Sequence, residues 1–250
     1  MAGHNKWSKI KHRKAVVDKR RGKVWTKVSK AIIVAAKHGG PDPESNLALR
    51  YAIDEARYAN MPRDTIERAI KKGAGGEDQS NYENVRYEGY APGGIALIVD
   101  ALTDNRTRTV GDLRLAFGNA GGNLGNSGCV AYLFQSRGVI VADTPGKTED
   151  QMMELALEAG AEDAQSTGDE DHPQWTFSTT VEAFVAAKAA IEKAGLNITD
   201  ANLAMVPDST IETRGEHAKS LIELLDAIED LDDVQKVYHN AYVPDDELDD

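Results

Sequence analysis

The sequence predicts an α+β protein, a small N-terminal helical bundle followed by two α/β domains, one inserted into the other. Three observations predict it. Up to residue 76 apolar side chains recur at three- and four-residue spacing between glycine and proline breaks. Beyond that point short apolar runs alternate with amphipathic stretches. Charge changes sign between the two regions, so they read as different bodies.

Taken in order, the first 22 residues are a Lys/Arg-rich arm with little to bury before Val16 and Val17. Gly22 is expected to open a first helix, with Val24, Val28, Ala31, Ile32 and Ala35 on one face, ended by His38-Gly39-Gly40-Pro41. Asp42 is expected to cap a second helix with Pro43 at its first position and Leu47, Tyr51 and Ile53 to Ala56 inside. Pro62 starts a third, with Ile66, Ala69 and Ile70 inward and Gly73 closing it. The stretch GAGGEDQSNYENV reads as a polar linker.

Ile95 to Val99 then suits a buried strand, Arg106 to Phe117 an amphipathic helix, and Val130 to Phe134 another strand. A second set follows as strand 138–142, helix 148–159, strands 161–166 and 174–178, helix 181–194 and strand 202–206. Its β-α-β-β-α-β order is ferredoxin-like. Helix 216–231 and strand 234–239 complete the earlier α/β unit if the second set is inserted into it, and the tail PDDELDD reads as disordered. The expected architecture is therefore an N-terminal three-helix bundle followed by two ferredoxin-like α/β domains, the third domain inserted in the second. The domains fall at 1–76, at 77–135 with 205–250, and at 136–204.

The chain is acidic overall, with a net charge of −12, but this conceals a split. Residues 1–80 carry 18 Lys and Arg against 9 Asp and Glu; residues 81–250 carry 11 against 32. From Met1 to Lys37 there are 12 basic residues and one acid, Asp18. A solvated surface carries both signs; a stretch of one sign is the footprint of a polyanion-binding arm. The expected nucleic-acid contacts are Lys6, Lys9, Lys11, His12, Arg13, Lys14, Lys19, Arg20, Arg21, Lys23 and Lys27, with Trp7 as a plane on which an unpaired base stacks. Trp25 lies beside Val24 and Val28 and reads as core. The single cysteine, Cys129, excludes internal disulfides and CxxC metal knuckles. There is no secretory h-region and no apolar run of membrane length, so the expected compartment is the cytoplasm, without a membrane partner.

Catalytic patterns are thin. Gly118 to Gly125 resembles a dinucleotide fingerprint but follows a helix and precedes a strand, the reverse of what pyrophosphate binding requires. Thr144 to Thr148 ends like a P-loop, yet Val141 stands where the loop's first glycine belongs. Cys129 sits among apolar neighbours and reads as a small hydrophobe rather than a nucleophile. Asp100, Asp104 and Asp112 read as strand-end and capping chemistry rather than as a metal set. No catalytic residue, metal or cofactor is expected, and the chain is read as a non-enzyme.

Several strings are specific enough to place the chain. MAGHNKW, KHRKAVVDKRRGK, NMPRDTIERAIKKG, YEGYAPGG, LTDNRTRT, GGNLGNSGCVAYLF, LEAGAED and VQKVYHN occur in that order, from Met1 to about Asn240. They resemble the YebC/PmpR family, in which many members carry serine where this chain has Cys129. The resemblance implies a helical domain followed by two α/β domains with the third inserted in the second. It also implies a regulator of gene expression without catalytic residues. Bacterial members are usually assigned as DNA-binding transcriptional regulators; a mitochondrial relative activates translation of a cytochrome oxidase subunit, and bacterial members have been tied to ribosomes stalled on proline-rich sequences. From the residues themselves RNA is favoured over DNA. The charge lies in an arm rather than on a helix shaped for base edges in a major groove, and the acidic body would be repelled by a long duplex. The expected protein is a monomeric, ribosome-associated translation factor. The alternatives are a DNA-binding transcriptional regulator and, more remotely, a small-molecule enzyme or sensor using an interdomain cleft.

Overall fold

A computed structural model describes residues 14–75, 81–168, 172–244 and 247, and for residues 14–21 the backbone alone. The basic residues from Lys6 to Arg13, residues 76–80 of the polar linker and all but Pro244 and Glu247 of the acidic tail lie outside the described residues. The chain divides into two compact units, Met1–Gln135 with Val206–Asp250, and Ser136–Met205.

The first helix, α1, runs Lys14–Gly39. Gly22 therefore lies inside it rather than opening it. The Lys, Arg and Ala around that position are strong helix formers, and one interior glycine costs only about 1 kcal/mol against alanine. α2 (Leu47–Tyr58) is capped by Asn46, not Asp42. Asp42 instead accepts from the Glu44 N–H and the Ser45 hydroxyl, closing the turn before the helix. Asn46 does three jobs at once. Its Oδ1 accepts from Leu49 N, and its Nδ2 donates to Ala35 O and Gly40 O at 2.8 Å each. The end of α1, the turn and the start of α2 are thus tied through one buried amide. α3 (Arg63–Ala74) follows Pro62.

Val28, Ile32 and Ala36 of α1 pack with Leu49, Ala52, Ile53 and Ala56 of α2, with Met61, and with Ile66 and Ala69 of α3. Val24 and Leu47, expected inside, are 42% and 51% exposed. Where α1 and α3 cross, a Cβ on Gly73 would lie 2.3 Å from Ile33 O and 2.9 Å from the Ala36 Cβ, so only glycine allows the approach.

The first sheet begins with β1 (Glu83–Ala91), a strand the apolar pattern does not announce. It pairs antiparallel along its whole length with β2 (Ile95–Thr103), from Glu83 opposite Thr103 to Ala91 opposite Ile95. α4 (Arg106–Asn119) and β3 (Asn123–Leu124) follow. After the second unit come β8 (Ile211–Glu212), α7 (Gly215–Glu229), β9 (Val234–His239) and β10 (Ala241–Tyr242). The strand order is β3-β1-β2-β9, and β8 pairs in parallel with β10. One face of β2, carrying Ile95, Leu97 and Val99, shares a core with Leu113 and Phe117 of α4 and Leu221, Leu224, Leu225 and Ile228 of α7.

The strand expected at 130–134 is a tight turn, Ala131–Leu133, leading into β4 (Phe134–Asp143). The Val130 and Ala131 N–H groups are taken by the Glu88 carboxylate at 2.8 Å each, so a sheet ladder has no claim on them. The chain leaves and re-enters this unit at one point, where Asp208 N donates to Leu133 O at 2.9 Å and Gln135 Nε2 to Asp208 Oδ1 at 2.6 Å.

The second unit runs β4, α5 (Glu149–Ala159), β5 (Asp163–Ser166), β6 (Gln174–Thr179), α6 (Phe184–Lys193) and β7 (Asn197–Pro207), the β-α-β-β-α-β order read from the sequence. Its sheet order is β5-β6-β4-β7. Register places Ile140 opposite Phe177 and Ala142 opposite Trp175, all buried on one face. α5 opens on a capping box between Thr148 and Gln151. The α+β class, with N-terminal helices ahead of two sheet domains, stands.

Candidate nucleic-acid interface

The basic stretch meets the structure in three parts. Lys6, Trp7, Lys9, Lys11, His12 and Arg13 precede the described residues. Lys14, Lys19, Arg20 and Arg21 lie in the first turns of α1, where only the backbone is described. Lys23 and Lys27 are described in full, and both turn inward onto the protein.

Lys23, Lys27 and Lys30 recur at four- and three-residue spacing and so share one face of α1. That face lies on the end of α7. The Lys23 ammonium is 2.7 Å from Asp230 Oδ1, and Lys27 donates to Glu229 O at 2.6 Å. Lys30 donates to Asp232 O at 3.1 Å and to Asp233 Oδ1 at 3.2 Å, and it stands 5.0 Å from the Tyr82 ring centre. A helix C-terminus presents unpaired carbonyls and the negative end of its dipole, and here an acidic turn, Glu229 to Asp233, adds carboxylates. Three lysines are the natural complement. Lys23 and Lys27 thus have a structural use that the charge run did not disclose.

Asp233 is the hub of this contact. Besides Lys30, it accepts from Thr103 Oγ1 at 3.1 Å, Thr109 Oγ1 at 2.8 Å and Arg108 at 2.7 Å. Burial pushes its carboxyl up, but the donations from Arg108, Thr109, Lys30 and Thr103 outweigh burial and hold it below the usual aspartate range. Arg108 also pairs with Asp104, and Arg106 binds Glu83 through two guanidinium nitrogens. Asp100 pairs with Arg86 at 2.7 Å. The cap of α4 is Asn105, not an aspartate. An open cavity of about 730 Å³ adjoins the hub, lined by Lys23, Lys30, Tyr82 and Arg108 against Asp104, Asp112 and Asp230 to Asp233. Among the described residues no three His, Cys, Asp or Glu side chains are grouped to hold a metal.

Trp25 packs against the bundle core and donates from Nε1 to Ala59 O at 2.9 Å. Cys129 is half-buried in a turn rather than a strand. Burial pushes its thiol up, and the Glu88 carboxylate pushes it the same way, so it stays protonated. No helix among the described residues is long and apolar enough to cross a membrane.

The N-terminal region, residues 5–76, matches the family description "TACO1/YebC protein N-terminal domain". Residues 82–241 match "TACO1/YebC second and third domain". The chain belongs to the TACO1/YebC family. A "probable transcriptional regulatory protein" of Idiomarina loihiensis is 50% identical over 98% of this chain and 97% of its own length. One of Burkholderia ambifaria is 50% identical over 97% and 99%. A crystal structure of a conserved hypothetical protein from Aquifex aeolicus is similar with a TM-score of 0.83, at 47% identity over 94% of this chain and 96% of that one. Within this family the basic N-terminal stretch and the acidic body are parts of one full-length match.

Proposed function

We propose that this protein is a non-enzymatic, cytoplasmic regulator of gene expression that binds nucleic acid through its N-terminal arm, with RNA on the ribosome as its target. The observation that carries the reading is the charge map. Residues 1–21 hold eight basic residues and one acid, ahead of a body with 32 acids against 11 basic residues. Phosphate neutralisation by such an arm supplies sequence-independent affinity. Lys6 to Arg21 are assigned the phosphates, with Trp7 as a stacking plane. Lys23 and Lys27 anchor α1 on the protein and are not assigned phosphates.

RNA is preferred because the acidic body opposes a long duplex lying against it, whereas an arm reaching between structured RNA elements avoids that cost. The protein would act as a monomer on translating ribosomes, and relief of stalling on proline-rich sequences is the translational role assigned to it.

A second reading is a DNA-binding transcriptional regulator. It is favoured by the names of the relatives, which are 50% identical to this chain. One experiment separates the two: purified protein against ribosomes, random duplex DNA and a candidate promoter in one buffer. Ribosome association lost on removing residues 1–21 is the expected result. A promoter bound roughly 10³-fold above random duplex, without ribosome association, would end the translational reading.

A further inference from the structure

Twenty-two consecutive residues, Leu115 to Ser136, carry no charged side chain in a chain that is 28% charged. This is the glycine- and asparagine-rich segment whose likeness to a dinucleotide fingerprint fails on its place in the fold. The structure shows what holds it. The Glu88 side chain, 3% exposed, accepts from the backbone N–H groups of Gly128, Val130 and Ala131, each at 2.8 Å. A buried carboxylate with three donors is a strong tether, since charge-assisted hydrogen bonds are shorter and stronger than neutral ones.

Tyr90 adds a second tether, its hydroxyl donating to Cys129 O at 3.0 Å. A tyrosine hydroxyl has one proton to give. That proton goes to Cys129 O, so the loop is tied to β1 through Tyr90 as well as through Glu88. Tyr132 is thus positioned through its backbone. Its backbone lies in the turn Ala131–Leu133, whose first N–H donates to the Glu88 carboxylate. Yet the residue is 69% exposed. Exposed amides surround it in sequence, at Asn119, Asn123 and Asn126, and β3 pairs Asn123 with Tyr90.

A large aromatic presented to solvent by a tethered turn, on a segment without charge, suits a flat uncharged ring rather than a phosphate. Unpaired nucleobases are such rings, with faces for stacking and edges for amide side chains. We infer that Tyr132 is a stacking platform for an unpaired base of bound RNA, braced by Glu88 and Tyr90 and flanked by Asn123 and Asn126 for the base edge. The inference rests on the nucleic-acid reading above and adds a contact independent of the basic arm. Pre-ordering the turn removes part of the entropic cost of binding.

The test uses the full chain and a single-stranded oligoadenylate, with affinity measured across a salt series for the wild type, Tyr132→Ala, Tyr132→Phe and the triple variant Lys11→Ala, Arg13→Ala, Lys14→Ala. Tyr132→Ala is expected to weaken binding by about 5- to 150-fold while leaving the salt slope unchanged, because a stacking plane and no phosphate contact is lost. Tyr132→Phe keeps the plane, so its loss is smaller. The arm variant flattens the slope instead. If Tyr132→Ala binds like the wild type on an unaltered salt slope, the platform is overturned and the arm reading stands. If the wild type shows no salt-dependent binding at all, the arm reading fails and this inference fails with it.

Discussion

The Lys30 ammonium lies 3.2 Å from the Asp233 carboxylate, with the two side chains only 14% and 9% exposed. The pair joins α1 to the β9 end of the sheet, across 203 residues of sequence. Asp233 has four donors, so removing it strands several groups at once.

Asp233→Ala is therefore expected to destabilise the first unit by about 3–5 kcal/mol, the usual cost of breaking a buried pair from one side. Lys30→Met removes one donor of four and should cost less. Denaturant unfolding of both single variants and the double variant gives their coupling. Additive losses would show that the two residues do not act together.

Acid should loosen the same unit. Glu88 is pushed up by burial, but the N–H groups of Gly128, Val130 and Ala131 prevail and hold it below the usual glutamate range; Asp233 is likewise held low. A carboxyl lowered by folding contributes stability that is complete above its unfolded pKa, about 4 for these groups. That stability is lost as pH falls through the folded value. Glu88→Gln should be less stable than wild type at neutral pH and show a shallower decline below about pH 4. Parallel acid-unfolding curves would contradict the assignment.

Gly73→Ala should destabilise the bundle by about 1–3 kcal/mol, the typical cost of forcing volume into a packed site. The nearest obstacle to its Cβ is the Ile33 carbonyl, which cannot rotate away. Thermal melts of the variant check this. Gly22→Ala, with nothing within 4 Å of the new Cβ, should be neutral or stabilising.

Salt should discriminate between the two parts of the basic stretch. If roughly six arm residues meet phosphates, RNA affinity falls on the order of 10³-fold between about 50 and 200 mM salt. Each arm residue changed to alanine shallows the slope by about one unit. Lys23→Ala and Lys27→Ala should instead leave the slope in place and lower the melting temperature, because their partners are Asp230 and Glu229.

The bundle is largely legible in the sequence, since Val28, Ile32, Ile53 and Ile66 announce themselves by spacing and are buried, but on α2 the pattern points to Leu47 where the structure buries Leu49. The inserted β-α-β-β-α-β unit is legible for the same reason. β1 is not. Its residues ENVRYEGYA carry polar groups on both faces, Glu88 among them, because that carboxylate is wanted inside to hold a loop. The cap of α2 is misread because Asp42 and Asn46 both have capping chemistry, and only tertiary contacts with Ala35 and Gly40 choose between them. For the interface, the positive charge of Lys23 and Lys27 is plain but its destination is not. Their partners lie more than 200 residues away. Tyr132 is hidden for the opposite reason: in a run of uncharged residues an aromatic reads as strand core.

The bond from Asp208 N to Leu133 O has a consequence for the history of the chain. Entry and exit of the inserted unit are already stitched together by the host, so residues between them form a cassette whose ends meet before it begins. A gene could acquire, lose or exchange such a cassette without re-registering the host sheet, and a short turn across 133–208 should let the host strands close on themselves.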